Sequence, residues 1–198
     1  MDSQGAIKKE LNHQKTSNYT VNPKLNIPLE QQRALKEINA GHKILILLRG
    51  APGSGKSTLA KSLISQINNS NYSWRDFIFS TDDYFYNTNG KYRYDVYRLS
   101  DAHEFNQRRV NERANQGWSP IIVDNTNMKL WEMMPYVEAG VKNGYIIEIL
   151  EPKTPWRLSP SKLAQRNTHQ VPRDKIERML LSYEPAKAMD LVKVSRNM

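Results

Sequence analysis

Short apolar runs alternate along this chain with longer stretches of helical period. The run HKILILL, residues 42–48, is almost continuously apolar, as expected for a strand buried on both faces. DFIFS, PIIVD and YIIEIL are further strand-like runs. The stretch PLEQQRALKEINAG, before the first run, reads as a short helix with Leu35 and Ile38 on one face and Gly41 as its stop. After the first run, RGAPGSGKSTLAKSLISQI reads as a glycine turn opening into a helix. SDAHEFNQRRVNERANQG reads as a helix with an Asp101/Glu104 capping box and Gly117 at its far end. KLWEMMPYVEAGVKNG places Leu130, Met134, Val137 and Val141 at helical spacing, with Pro135 a candidate kink or restart. Two basic helical segments, SKLAQRNTH and RDKIERMLLSYE, are expected to close the chain. This alternation predicts an α/β fold, a parallel β-sheet covered by helices on both faces. Residues 1–26, polar and rich in Asn, Lys, Gln and Ser, are expected to be flexible, and residues 27–198 to form one folded domain.

Composition narrows the class. Hydrophobic residues make up 38% and charged residues 25% of the 198, which suits one ordinary domain with a sizeable core. No apolar run is long enough to cross a membrane. The absence of cysteine excludes disulfides, thiolate metal sites and cysteine nucleophiles, and fits an intracellular protein. A net charge of +9 points to a polyanionic partner, weighed against a basic protein with no nucleic-acid role.

The strongest chemical signal is GAPGSGKS, which fits the P-loop pattern G-x-x-x-x-G-K-[ST] at every fixed position. Gly50, Gly53 and Gly55 permit a close backbone approach, and Ala51, Pro52 and Ser54 complete the turn. The N–H groups of such a loop and of the helix behind it, through Thr58, face phosphates. Lys56 suits the β- and γ-phosphates and Ser57 suits Mg²⁺, so ATP with Mg²⁺ is the expected cofactor pair. The GTPase base-reading pattern N-K-x-D is absent.

Three further groups bear on what is done with the phosphate. Asp82 and Asp83 in STDDYFY end the second strand, on the rim where a general base would face a γ-phosphate; a solvated turn is the plainer alternative. Asp124, ending IIVD on the same rim, is a candidate Mg²⁺–water ligand, whereas Asn125, Thr126 and Asn127 suit either the site or a helix cap. The basic stretch of about residues 153–178 suits a lid over phosphates as well as a solvated face. In DYFYNTNGKYRYDVYR, the side chains of Tyr84, Tyr92, Arg93, Tyr94 and Arg98 form an aromatic-basic tract of the kind that stacks bases and holds the phosphates of a single strand. Packing of the loop on itself is the competing explanation.

LLRGAPGSGKSTLA, FSTDDYFY, AHEFNQRR, SPIIVDNTN, WEMMPYVE, EP and LAQRNTHQVPRDKIERMLLSYE occur in one order across about residues 43–184. In this the chain resembles the polynucleotide-kinase-like branch of P-loop kinases, in particular the kinase module of the Nedd-four-binding-protein-two-like proteins. EPKTPWRL is also similar to the P-loop half of the myelin cyclic-nucleotide phosphodiesterase. The resemblance implies ATP-dependent phosphorylation of a polynucleotide 5′-hydroxyl, with Asp82 as general base, Asp83 shaping the turn, and Arg166 as the lid arginine on the phosphates. It implies a P-loop NTPase fold with a basic helical lid. One position departs: phage-type polynucleotide kinases carry Asp-Asp-Tyr-Arg, and this chain has Phe85 in place of the arginine. The paired H-x-[ST] motifs of a phosphodiesterase half and the D-x-D-x-T of a fused 3′-phosphatase are absent. A weakly active ATP-binding interaction module and a small-molecule kinase, acting on a nucleoside or sugar, are the alternatives.

Overall fold

The computed structural model describes residues 28–67 and 73–197; the N-terminal segment expected to be flexible lies outside these residues. Helix α1 (Leu29–Asn39) leads into β1 (Ile44–Leu48), and α2 (Lys56–Ser65) follows the glycine turn. Strand β2 (Ile78–Phe79) is followed by a 3₁₀ turn (Thr81–Phe85), a loop, a second 3₁₀ turn (Val96–Arg98) and α3 (Leu99–Asn115). Strand β3 (Ile121–Asp124), α4 (Leu130–Lys142) and β4 (Ile146–Leu150) complete the sheet, and α5 (Pro160–Arg166), α6 (Arg173–Leu181) and α7 (Ala188–Arg196) follow.

The four strands are parallel and ordered β2-β3-β1-β4. Strand alternation divides the core cleanly. Ile44, Ile46 and Leu48 face α1 and α2, packing with Leu35, Leu59 and Leu63. Leu45 and Leu47 face the other layer and pack with Val110, Met133, Tyr136 and Leu191 from α3, α4 and α7. Both faces of β1 are therefore buried, which is why its sequence is apolar at every position. Register pairs Leu48 with Asp124 and Phe79 with Val123, so β1, β2 and β3 end on one rim. The chain leaves β1 toward β2 and leaves β3 toward β4, so the crevice between β1 and β3 opens at that rim.

Four expectations need correction. The Asp101/Glu104 capping box does not form: the chain is already coiled through Val96–Arg98, with Asp95 accepting from the Tyr97 N–H at 2.9 Å, so α3 begins two residues before Asp101. Pro135 stands inside α4 without ending it. A third C-terminal helix, α7, closes the chain, held on α4 and β4 through Leu191, Ala188 and Val192. The DFIFS run yields only two strand residues. Among the described residues, no helix is long and apolar enough to cross a membrane.

Behind the P-loop lies Arg49, fully buried at the end of β1. Its Nε donates to the Asn127 carbonyl at 2.6 Å, and Nη2 to the Met128 and Glu184 carbonyls at 2.9 and 2.8 Å. Its Nη1 donates to Tyr183 Oη at 3.1 Å, and the guanidinium lies over the Tyr183 ring. One side chain thus ties the β3–α4 connection and the end of the α6 segment to the sheet.

Candidate nucleotide and acceptor site

The P-loop turns where glycine is required. At Gly53, φ is +79°, and a Cβ would lie 2.4 Å from the Leu163 carbonyl oxygen and 3.0 Å from the Asn167 nitrogen. Helix α5 therefore rests directly on the loop. Thr154 Oγ1 donates to the Ser54 carbonyl at 3.0 Å and Trp156 Nε1 to the Gly53 carbonyl at 3.1 Å, fastening the same contact. Ala51, Leu163 and Ile176 form a small core beneath it, with Pro52 beside them at the surface turn.

Helix α2 opens at Gly55 with no side-chain cap, so its first N–H groups have no partner within the helix. Lys56 folds back, donating to the Gly50 and Ala51 carbonyls at 2.8 and 3.2 Å. Burial lowers its pKa, opposed by the charges of Asp124 and Asp82. Ser57 and Thr58 are exposed, and Ser57 Oγ donates to Asp124 Oδ2 at 2.6 Å. Burial raises the Asp124 pKa, against the pull of Lys56 and the Ser57 hydrogen bond. Uncapped helix N–H groups, an ammonium, a hydroxyl and a carboxylate at one rim fit a triphosphate with a hard divalent cation.

The two aspartates of STDDYFY have different surroundings. Asp83 is spent locally: Oδ2 accepts from the Ser80 N–H at 3.3 Å and from Arg109 Nη1 at 2.8 Å. The charge of Asp82 acts on both Lys56 and Asp124, whereas that of Asp83 bears on Asp124 without acting on Lys56. Asp82 Oδ1 accepts from Tyr92 Oη at 3.0 Å, and Asp82 Oδ2 lies 3.4 Å from His169 Nε2. The Tyr92 hydroxyl is pushed well above its ordinary pKa, by burial first and then by Asp82.

Phe85 is buried among the rings of Tyr84, Tyr92 and Tyr94, so that position anchors the aromatic tract and cannot itself reach an acceptor. Tyr84, Arg93, Tyr94 and Arg98 line a cavity of about 580 Å³ together with Tyr86 and Asp95. Within it Arg98 donates to the Tyr84 hydroxyl and lies 4.8 Å from that ring. Asn127 is a correction. Its side chain is buried and donates to the Leu48 carbonyl at 2.8 Å, with the backbone at φ +46°, so it braces the rim and is not free for an acceptor. Arg166 ends α5, with its guanidinium 4.6 Å from the Trp156 ring and Nη1 donating to the Lys162 carbonyl at 3.2 Å. Sequence reasoning passed over Arg49, Arg109 and His169. A lone histidine in a polar stretch and an arginine on a helix carry no local signal of the contacts they make.

The family described as an AAA domain matches residues 45–186. Human NEDD4-binding protein 2 is 50% identical over 141 residues, covering 71% of this chain and 8% of that protein. The 2′,3′-cyclic-nucleotide 3′-phosphodiesterase of Pongo abelii is 27% identical over 159 residues, covering 79% of this chain and 35% of its own length. The chain thus spans well under two thirds of the curated relatives it matches. Among solved structures, a chain of the Pnkp1/Rnl/Hen1 RNA repair complex superposes with a TM-score of 0.53 at 20% identity, covering 79% of this chain and 45% of that one. That likeness shows the fold.

Proposed function

Because the chain belongs to the AAA-domain family, with a P-loop kinase-like α/β fold, we propose that it is an ATP-dependent kinase that transfers the γ-phosphate to the 5′-hydroxyl of a polynucleotide. The observation that carries this reading is the placement of Asp82, a partly exposed carboxylate on the P-loop rim whose charge acts on Lys56, with Tyr92 on one oxygen and His169 beside the other. In the transfer, Asp82 takes the proton of the acceptor hydroxyl as that oxygen bonds to the γ-phosphorus and the bond to the β-bridging oxygen breaks, releasing ADP. Lys56 and the α2 N–H groups hold the β- and γ-phosphates, and Arg166 offers positive charge from α5, which acts as the lid. Ser57 and Asp124 would hold Mg²⁺, which would supply charge neutralisation for the phosphates. Arg93 and Arg98 meet acceptor phosphates, and Tyr84 and Tyr94 offer ring faces to bases, while Tyr92, packed on His169 and bonded to Asp82, stands outside the cavity lining. Likeness to a chain of an RNA repair complex and to a cyclic-nucleotide phosphodiesterase supports a nucleic-acid acceptor.

The cavity beside Phe85 favours a second reading, because about 580 Å³ also suits a single nucleoside. The catalytic assignment is tested by exchanging the two aspartates in turn. Asp82→Asn should lower turnover by roughly 10²- to 10⁴-fold with MgATP binding nearly intact. Asp83→Asn should act mainly through a loosened turn. A reversed order of severity would move the base to Asp83.

A further inference from the structure

His169 lies in the connection between α5 and α6, far in sequence from the aspartate it meets. That connection is tightly built. Asn167 Oδ1 accepts from the Val171 N–H at 2.7 Å, while Nδ2 donates to the Ala164 carbonyl at 2.8 Å and reaches the Leu163 and Val171 carbonyls at 3.4 and 3.3 Å. Gln170 follows with a positive φ of 54°. The result is a closed turn that carries His169 toward Asp82, with Nε2 3.4 Å from Oδ2. On its other side the imidazole packs against Tyr92 at 4.5 Å between ring centroids, and Tyr92 donates to the remaining oxygen of the same carboxylate. The near end of this turn is the residue whose nitrogen blocks any side chain at Gly53. A continuous chain of contacts therefore runs from the P-loop through Leu163 and Asn167 to His169 and ends on Asp82.

We propose that His169 is a positioning residue for Asp82: seating of α5 on the P-loop brings His169 onto one carboxylate oxygen while Tyr92 holds the other. Closure over the nucleotide and orientation of the base then occur together. An incoming hydroxyl meets a carboxylate that is already aimed, because neither oxygen is free to rotate away. This rests on the reading of Asp82 as the base. His169 itself makes no contact with transferred atoms.

The test compares His169→Ala, His169→Gln and His169→Phe in the full chain, by transfer from ATP to a 5′-hydroxyl oligonucleotide and by backbone hydrogen exchange. In His169→Ala, kcat should fall by up to about 100-fold, the order of loss when a reacting group loses its alignment. The KM for ATP and thermal protection by MgATP should stay at the wild-type level. Gln offers an N–H to the same oxygen and should recover most of the loss; Phe keeps the ring against Tyr92 without a donor and should not. Exchange at residues 82–86 and 91–93 should be faster in His169→Ala than in wild type. Unchanged kcat in His169→Ala, or recovery by Phe equal to that by Gln, would overturn the proposal. Unchanged exchange in both segments would overturn it whether or not transfer is seen. If Asp82→Asn kept full transfer, the base reading would fall, and with it the role given to His169 in catalysis; faster exchange would then uphold only the contact.

Discussion

The P-loop side of this rim and the side proposed for the acceptor are built on different terms. On the P-loop side the backbone makes the site. Gly53 leaves no room for a side chain against α5, Lys56 is buried against loop carbonyls, and Thr154 and Trp156, just ahead of α5, fasten the turn by hydrogen bonds. On the acceptor side, side chains make the site. Tyr86, Tyr94 and Tyr97 are 49%, 45% and 94% exposed, on a loop closed by the Arg93 N–H on the Phe85 carbonyl, by Asn87 on its own turn, and by ring contacts. Only Phe85 is buried there. A triphosphate is the same in every kinase and can be met by a rigid cradle. An acceptor varies, and a side-chain surface on a rigid rim can vary with it.

The sharpest break in this comparison is Lys56→Ala. It should abolish stabilisation by MgATP and all transfer, because the β/γ charge loses its fixed counter-charge. Thermal denaturation with and without MgATP checks it, and unchanged protection would mean that the nucleotide binds elsewhere. The acceptor side should keep its affinity for an oligonucleotide in the same variant.

A second change strikes the support behind the cradle. Arg49→Met leaves the Asn127, Met128 and Glu184 carbonyls without their buried donor. The expected loss is about 3–5 kcal/mol of stability. It should show as a lower urea midpoint at unchanged slope. A midpoint within error of wild type would mean that the rim is held by the sheet alone.

A smaller effect is expected across the rim. Tyr94→Ala should weaken oligonucleotide binding by roughly 1–3 kcal/mol, the usual worth of one stacked base, with MgATP protection intact. Equal weakening of both ligands would dissolve the distinction between the two sides.

The contrast also explains what could be read from the sequence. Strand β1 was legible because burial on both faces demands apolar residues at every position, and GAPGSGKS because a phosphate cradle tolerates few alternatives. The rim position of Asp82 and Asp124 followed from strand ends in a parallel sheet. Asn127 was misjudged because its neighbours Asn125 and Thr126 look equally polar, and only the fold shows its amide spent on Leu48. The capping box failed because a 3₁₀ turn started the coil early, which no local spacing announces. Helix α7 was left unread although AMDLVKVSR carries Ala188, Leu191 and Val192 at helical spacing, the face that packs on α4 and β4. His169 was invisible from the sequence. Its role arises from Asn167 closing a turn on the P-loop, a contact between distant parts of the chain.

The central claim is that the acceptor is a polyanionic strand met by side chains on the exposed side of the rim. Transfer of labelled γ-phosphate from ATP to 5′-hydroxyl oligonucleotides and to nucleosides, across a series of salt concentrations, tests it most directly. Oligonucleotides should be the acceptors, with affinity falling as salt rises at a log–log slope of about −0.7 for each phosphate neutralised on a single strand. Arg93→Ala with Arg98→Ala should flatten that slope and raise the acceptor KM, leaving the KM for ATP unchanged. Salt-insensitive transfer, with nucleosides used as readily as oligonucleotides, would contradict the account and favour a small-molecule kinase.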